Sequence, residues 1–223
     1  MSKYNLDFLE SYNETTLGPI QKGEALFLYG LCEMVKPQIV LEIGCLIGQS
    51  MRVWMEAKVP FIFAVDCVIS NEVKELQRKY GKDEFGLDRI LLSEQDMKAE
   101  MSFLRFDDKV VPYMCNPDLV FVDASHELPD NVQLVKNLLP VLKPGALFIL
   151  HDTGHWHDKD MTDDRHLFIK HYGGYQDKKT KLWVHSPGEK ETIAWISKNT
   201  KWERVDLWTT AVARYGLTIF QVK

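Results

Sequence analysis

Two stretches of the chain place acids and histidines where they could do chemistry. In Asp118-Leu-Val-Phe-Val-Asp123-Ala-Ser-His126, an aspartate and a histidine three residues apart follow an apolar run. In His151-Asp152-Thr153, a second acid follows the apolar residues 147–150. An imidazole near its ordinary pKa takes a hydroxyl proton at neutral pH. The plain alternatives are solvated acids at strand ends and a histidine that caps a loop. The catalytic reading of Asp123 and His126 is preferred, because open α/β sheets collect their ligands at the carboxyl ends of strands. The other histidines from 151 to 171 crowd a stretch rich in aspartate. There His151, His155 and Asp158 could meet, but a polar, acidic lid is the preferred reading.

A third stretch, Ile39-Val-Leu-Glu42-Ile-Gly44-Cys-Leu-Ile-Gly48-Gln-Ser50, reads as a strand, a glycine turn and a helix start. Glycine admits positive φ and lets backbone approach a ligand closely. An acid at the strand end would repel a diphosphate. It suits a ligand with a cationic amine, and S-adenosylmethionine carries an amine, a sulfonium and no phosphate. Asp66 ends the next strand and is placed to accept ribose hydroxyls. Gln95 and Asp96 follow the third, and by itself Asp96 fits a helix N-cap.

Elements must position these residues. Apolar runs at Ile39–Ile43, 61–65, 90–92, Leu119–Val122 and Leu147–Leu150 read as parallel strands buried on both faces. Helical patterns at 50–58, 71–80, 98–103 and 131–142 separate them, and another precedes the first strand at 21–35. Runs at 204–213 and 217–222, joined through Arg214-Tyr215-Gly216, read as a hairpin, and a final helix over 188–199 precedes it. The whole is one α/β domain over residues 1–223. Residues 1–20 form an N-terminal arm and residues 154–187 a substrate lid bearing Trp156, Tyr172, Tyr175 and Trp183.

The motif Glu42-Ile-Gly44-Cys-Leu-Ile-Gly48-Gln-Ser50 resembles the first motif of class I S-adenosylmethionine-dependent methyltransferases, in the form similar to catechol-type small-molecule O-methyltransferases. The stretch from Asp118 to Thr153 resembles the same enzymes and the macrolide-sugar O-methyltransferases that use magnesium. The resemblance implies a Rossmann-like, mostly parallel seven-stranded methyltransferase sheet in the order 3-2-1-4-5-7-6, with one antiparallel strand and helices on both faces. It implies that Glu42, Gly44, Gly48, Ser50, Asp66, Gln95 or Asp96, and Asp123 hold the cofactor. It also implies a magnesium site at Asp123 and Asp152. Thr153 stands where those enzymes carry an asparagine ligand, and His126 where the catechol-type enzymes carry a lysine base. The expected activity is transfer of a methyl group to a hydroxyl oxygen of a small sugar, phenol or natural product.

A nicotinamide-dependent oxidoreductase would want a third glycine in the turn, where Leu46 stands. An inert protein that keeps the fold has no evident use for Asp123, His126 and Asp152 together. The net charge of −5 argues against a general nucleic-acid partner. The N-terminus has no apolar signal segment, and no run approaches the ~18 apolar residues of a membrane span. Cys32, Cys45, Cys67 and Cys115 contain no Cys-x-x-Cys pair, which suits a reduced, cytoplasmic protein. The arm leaves room for a homodimer.

Overall fold

Strands β1 (Ile39–Ile43), β2 (Phe61–Asp66), β3 (Ile90–Glu94), β4 (Leu119–Val122) and β5 (Leu147–Leu150) are short and apolar, and most of their residues are buried. Such runs form parallel strands covered on both faces. β1 pairs with β2 from Ile39↔Phe61 to Ile43↔Val65, and β2 pairs with β3, both parallel. After β5 come three two-residue strands, β6 (His155–Trp156), β7 (Tyr175–Gln176) and β8 (Trp183–Val184), which form a sheet of their own in the order β6-β8-β7. β9 (Glu203–Leu207) and β10 (Leu217–Gln221) close the large sheet, where β10 runs antiparallel to both β5 and β9. The order of the seven large-sheet strands is β3-β2-β1-β4-β5-β10-β9, which is the order implied by the resemblance. The structure is a computed structural model that describes residues 6–12, 20–82, 86, 88–94, 116–207 and 216–223. The expected helix over 98–103, the end of the expected strand 204–213, Gln95, Asp96 and Cys115 lie outside the described residues.

The chain divides into two compact units, residues 1–120 and 121–223. In the first, α1 (Lys22–Val35) opens with a reciprocal cap, in which the Gln21 backbone donates to Glu24 Oε2 at 2.9 Å. It ends at Lys36 in the left-handed region, just before Pro37. Helix α2 (Gln49–Glu56) starts at Gly48, and α3 (Asn71–Tyr80) is capped by the Ser70 hydroxyl. The described part of the N-terminal arm folds back onto this unit. A 3-10 turn, Asp7–Ser11, buries Phe8 against Tyr29, and the Tyr12 hydroxyl donates to Gln49 O at 2.6 Å.

In the second unit α4 (Leu128–Leu138) starts earlier than its apolar spacing predicts, because Pro129 suits a first helical turn, where no amide partner is needed. Residues 154–187 are more ordered than a loop-rich lid. Beside the small sheet they form a 3-10 turn, Asp158–Asp160, and helix α5 (Asp163–His171). Gly174 makes this possible, since a Cβ there would lie 2.5 Å from Val184 O. Helix α6 (Pro187–Asn199) packs on α4. No helix among the described residues is long and apolar enough to cross a membrane. Cys32, Cys45 and Cys67 are free thiols, and burial pushes the Cys32 thiol up to about 12.

Candidate active site

In the first unit the turn after β1 runs through three left-handed residues, Gly44 (φ 84), Leu46 (φ 43) and Gly48 (φ 81). Gly48 has a second constraint, because a Cβ there would meet Leu76 Cδ1 at 2.6 Å. Asp66, at the end of β2, clamps the turn. Its Oδ2 accepts from the amides of Cys45 (2.7 Å) and Leu46 (3.0 Å), and its Oδ1 from the Cys67 thiol (3.3 Å). Burial works against its charge, but these loop donors hold the carboxyl below its ordinary range. Leu46 and Val68, whose amides donate to Asp66, carry exposed apolar side chains, as does the neighbouring Ile47.

Glu42 is fully buried, with Oε1 accepting from Ser50 Oγ at 2.6 Å and Oε2 from the Trp54 indole N–H. Both donors lie on α2, which follows the turn, so the Glu42 carboxylate ties β1 to α2.

In the second unit Asp123, His126 and Asp152 come together, as their places at the ends of β4 and β5 predict. His126 Nε2 lies 3.7 Å from Asp152 Oδ2. His151 Nδ1 lies 3.1 Å from Asp123 Oδ1 and 3.3 Å from Asp152 Oδ1. Asp152 itself sits in the left-handed region (φ 59), which aspartate tolerates better than most residues and which often marks a functional site.

Two further residues join that the sequence did not reveal. His185 Nε2 lies 3.2 Å from Asp152 Oδ1, and its ring stacks on Trp156 at 5.3 Å. Glu189, only 3% exposed, pairs its Oε1 with His126 Nδ1 at 2.7 Å. Both are distant from the motifs in sequence: Glu189 comes in with α6 and His185 with the end of β8. The signal for the docking of α6 is Gly188, where a Cβ would stand 2.0 Å from His126 O.

Burial opposes charge on His126, but the Glu189 hydrogen bond and the charges of Asp152, Glu189 and Asp123 outweigh it and raise its pKa to about 9. This corrects the expectation of an ordinary imidazole: at neutral pH the ring holds its proton. Burial also disfavours a charged Asp152, yet His151, His185 and His126 hold it well below the carboxylate range. Burial raises Glu189, and burial with the nearby carboxylates raises Tyr172, whose ring meets His126 edge-on at 4.7 Å.

Thr153, placed by the resemblance among the metal ligands, is engaged elsewhere: its Oγ1 accepts from Thr218 Oγ1 at 3.0 Å. Among the described residues, the group whose donor atoms lie within 4.8 Å of one another is Asp123, His151 and Asp152. The suggested trio of His151, His155 and Asp158 does not form this group, and Asp158 Oδ1 instead accepts from Trp183 Nε1 at 3.0 Å.

A seven-stranded sheet in this order, with a glycine turn after its first strand and acids at the ends of its later ones, is the fold of class I methyltransferases. A family model described as a methyltransferase domain matches residues 41–153, half of the chain, and the chain belongs to that family. No curated protein matches it in sequence. Among solved structures, it is similar to the SAH-bound methyltransferase PaMTH1 of Podospora anserina, at 19% identity over 98% of this chain and 86% of that one, TM-score 0.62. It is similar to an O-methyltransferase from Bacillus cereus in complex with SAH, at 14% identity over 96% and 86%, TM-score 0.60. The O-methyltransferase TomG of Streptomyces achromogenes, involved in tomaymycin synthesis and bound to SAM, gives 14% identity over 92% and 82%, TM-score 0.61. At these identities what is shared is the fold.

Proposed function

We propose that this chain is an S-adenosylmethionine-dependent methyltransferase acting on a hydroxyl oxygen of a small molecule, assisted by a divalent cation. The observation that carries the reading is the gathering of Asp123, His126 and Asp152 at the ends of β4 and β5, with Glu189 holding His126. The bound cofactor supplies an activated methyl group, so the protein's own tasks are alignment and proton handling.

For the cofactor, the first unit offers backbone at Gly44 and Gly48 without side chains in the way, Asp66 for ribose, and the exposed apolar side chains of Leu46, Ile47 and Val68 for a nucleoside. Ser50 and Glu42 shape the turn from behind. Gln95 or Asp96 for the adenine, and Asp123 as a further cofactor contact, belong to the same reading. For the acceptor, Asp123 and Asp152 would hold the cation, which would lower the pKa of a hydroxyl. The charges of Asp152 and Asp123 help to keep the proton on His126; a cation at these carboxylates would offset them, and His126, then neutral, would take the hydroxyl proton at Nε2, with Nδ1 directed by Glu189, as an acid orients the imidazole in hydrolytic triads. The segment 154–187, with Tyr172 against His126, is assigned to acceptor selection.

The partner is a small acceptor and not a nucleic acid or a membrane, in keeping with the net charge of −5. A cytoplasmic setting fits the free thiols. A homodimer is supported by exposed Leu26, Phe27 and Met34 of α1 and is checked by light scattering.

Calorimetry with SAH on chelator-treated protein tests the cofactor, and absence of binding with and without added divalent ion overturns the reading. The His126→Ala variant is expected to keep SAH binding and lose about 100-fold or more in turnover. Unchanged turnover removes His126 as the base.

A further inference from the structure

Magnesium prefers oxygen ligands in an octahedron and keeps several of its waters. The cluster at the ends of β4 and β5 offers something else. One of its three converging donors is an imidazole nitrogen, His151 Nδ1, and the His151 side chain is fully buried. Where the resembling enzymes carry an asparagine ligand this chain has Thr153, whose Oγ1 accepts from Thr218 Oγ1 at 3.0 Å and is not among the three converging donors.

A second observation comes from Asp152, whose side chain is 6% exposed. Its Oδ1 is buried and receives no hydrogen bond of acceptable geometry, although His151 Nδ1 and His185 Nε2 stand 3.3 and 3.2 Å away. Ligands held about 2.1 Å from a common ion are separated by roughly 3.0–3.4 Å along the edges of its coordination polyhedron. The separations of His151 Nδ1 from Asp123 Oδ1 (3.1 Å) and from Asp152 Oδ1 (3.3 Å) fall in that range.

We infer that Asp123, His151 and Asp152 form an imidazole-containing site for a first-row divalent transition ion, such as Mn²⁺, Fe²⁺ or Zn²⁺, in preference to Mg²⁺. A nitrogen donor raises affinity for these ions and does little for magnesium. His185, braced by Trp156, acts as an outer partner that fixes the Asp152 carboxylate. Asp123 is the most exposed of the three, at 20%, so exchange of ligands at the ion takes place on its side. The inference deepens the methyltransferase reading, resting on it for the use of the ion but not for its binding.

The test uses the full chain, stripped with a chelator and titrated separately with Mn²⁺, Zn²⁺ and Mg²⁺, with SAH binding measured in parallel. One equivalent of Zn²⁺ or Mn²⁺ is expected to bind at least about 100-fold more tightly than Mg²⁺. Pulsed electron paramagnetic resonance of the Mn²⁺-loaded wild-type protein is expected to show coupling to a directly bound ¹⁴N nucleus, a result that needs no variant to fold. The His151→Asn variant is expected to lose that coupling and about 10- to 100-fold in Zn²⁺ affinity. Equal or tighter binding of Mg²⁺, absence of ¹⁴N coupling, or no binding of any ion overturns the inference. If SAH still binds in those cases, the methyltransferase reading stands. If the ion binds with ¹⁴N coupling and SAH does not, the metal site stands and the methyltransferase reading falls.

Discussion

In the first unit the buried Glu42 takes its hydrogen bonds from a hydroxyl and an indole, and Asp66 from backbone amides and a thiol. In the second unit Asp123, Asp152 and Glu189 face the imidazoles of His126, His151 and His185. Donors that stay protonated at neutral pH build a fixed turn, with charge stabilised and no proton to exchange. Imidazole partners give a cluster whose protons and ligands can move. The same residue type, a strand-end acid, therefore meets fixed donors in one unit and imidazoles in the other, and its partners set what it can do.

The comparison breaks most directly at Glu42. Replacing it with Ala strands the Ser50 hydroxyl and the Trp54 indole in the core, at an expected cost of about 3 kcal/mol in denaturant unfolding. A cost below about 1 kcal/mol would show that Glu42 is not the scaffold described. In the second unit Gly188→Ala pushes α6 off the His126 carbonyl, with an expected loss of about 2 kcal/mol of stability. Turnover should fall further than stability explains, because Glu189 no longer directs His126. An unchanged pH profile and turnover would refute that coupling.

Thr153→Val should cost about 1 kcal/mol through the lost Thr218 bond and leave metal affinity unchanged. A large fall in affinity would restore Thr153 as a ligand. The smallest effect belongs to half-buried Asp66. Its folded pKa is depressed, so its contribution is present above the unfolded carboxylate pKa and is lost as pH falls through the folded value. After screening by solvent, Asp66→Asn should cost less than about 1 kcal/mol at neutral pH, with the difference from wild type vanishing in acid. A difference that persists in acid would mean that charge is not what Asp66 contributes.

The five parallel strands and most helices were legible because burial on both faces leaves a continuous apolar run, clearest in β1, β2, β4 and β5, and helix faces repeat with a fixed period. The small sheet β6-β8-β7 was not legible, since two-residue strands carry no period and depend on a close approach at Gly174. Helix α4 was misplaced at its start because apolar spacing outweighed the signal of Pro129.

The sequence by itself determined which acids stand at strand ends, and the glycine turn that follows β1, because chain direction and strand period place them there. Tertiary structure alone decided what each acid does. Glu42 faces inward because Ser50 and Trp54 lie on the first turns of α2, and Thr153 is drawn to Thr218 on β10. Glu189 and His185 reach their partners only when α6 and the small sheet are packed. Hydrogen bonds and ion pairs between residues tens of positions apart leave no local pattern in the chain, so the proton affinity of His126 and the cluster of donors around Asp152 exist only in the folded molecule.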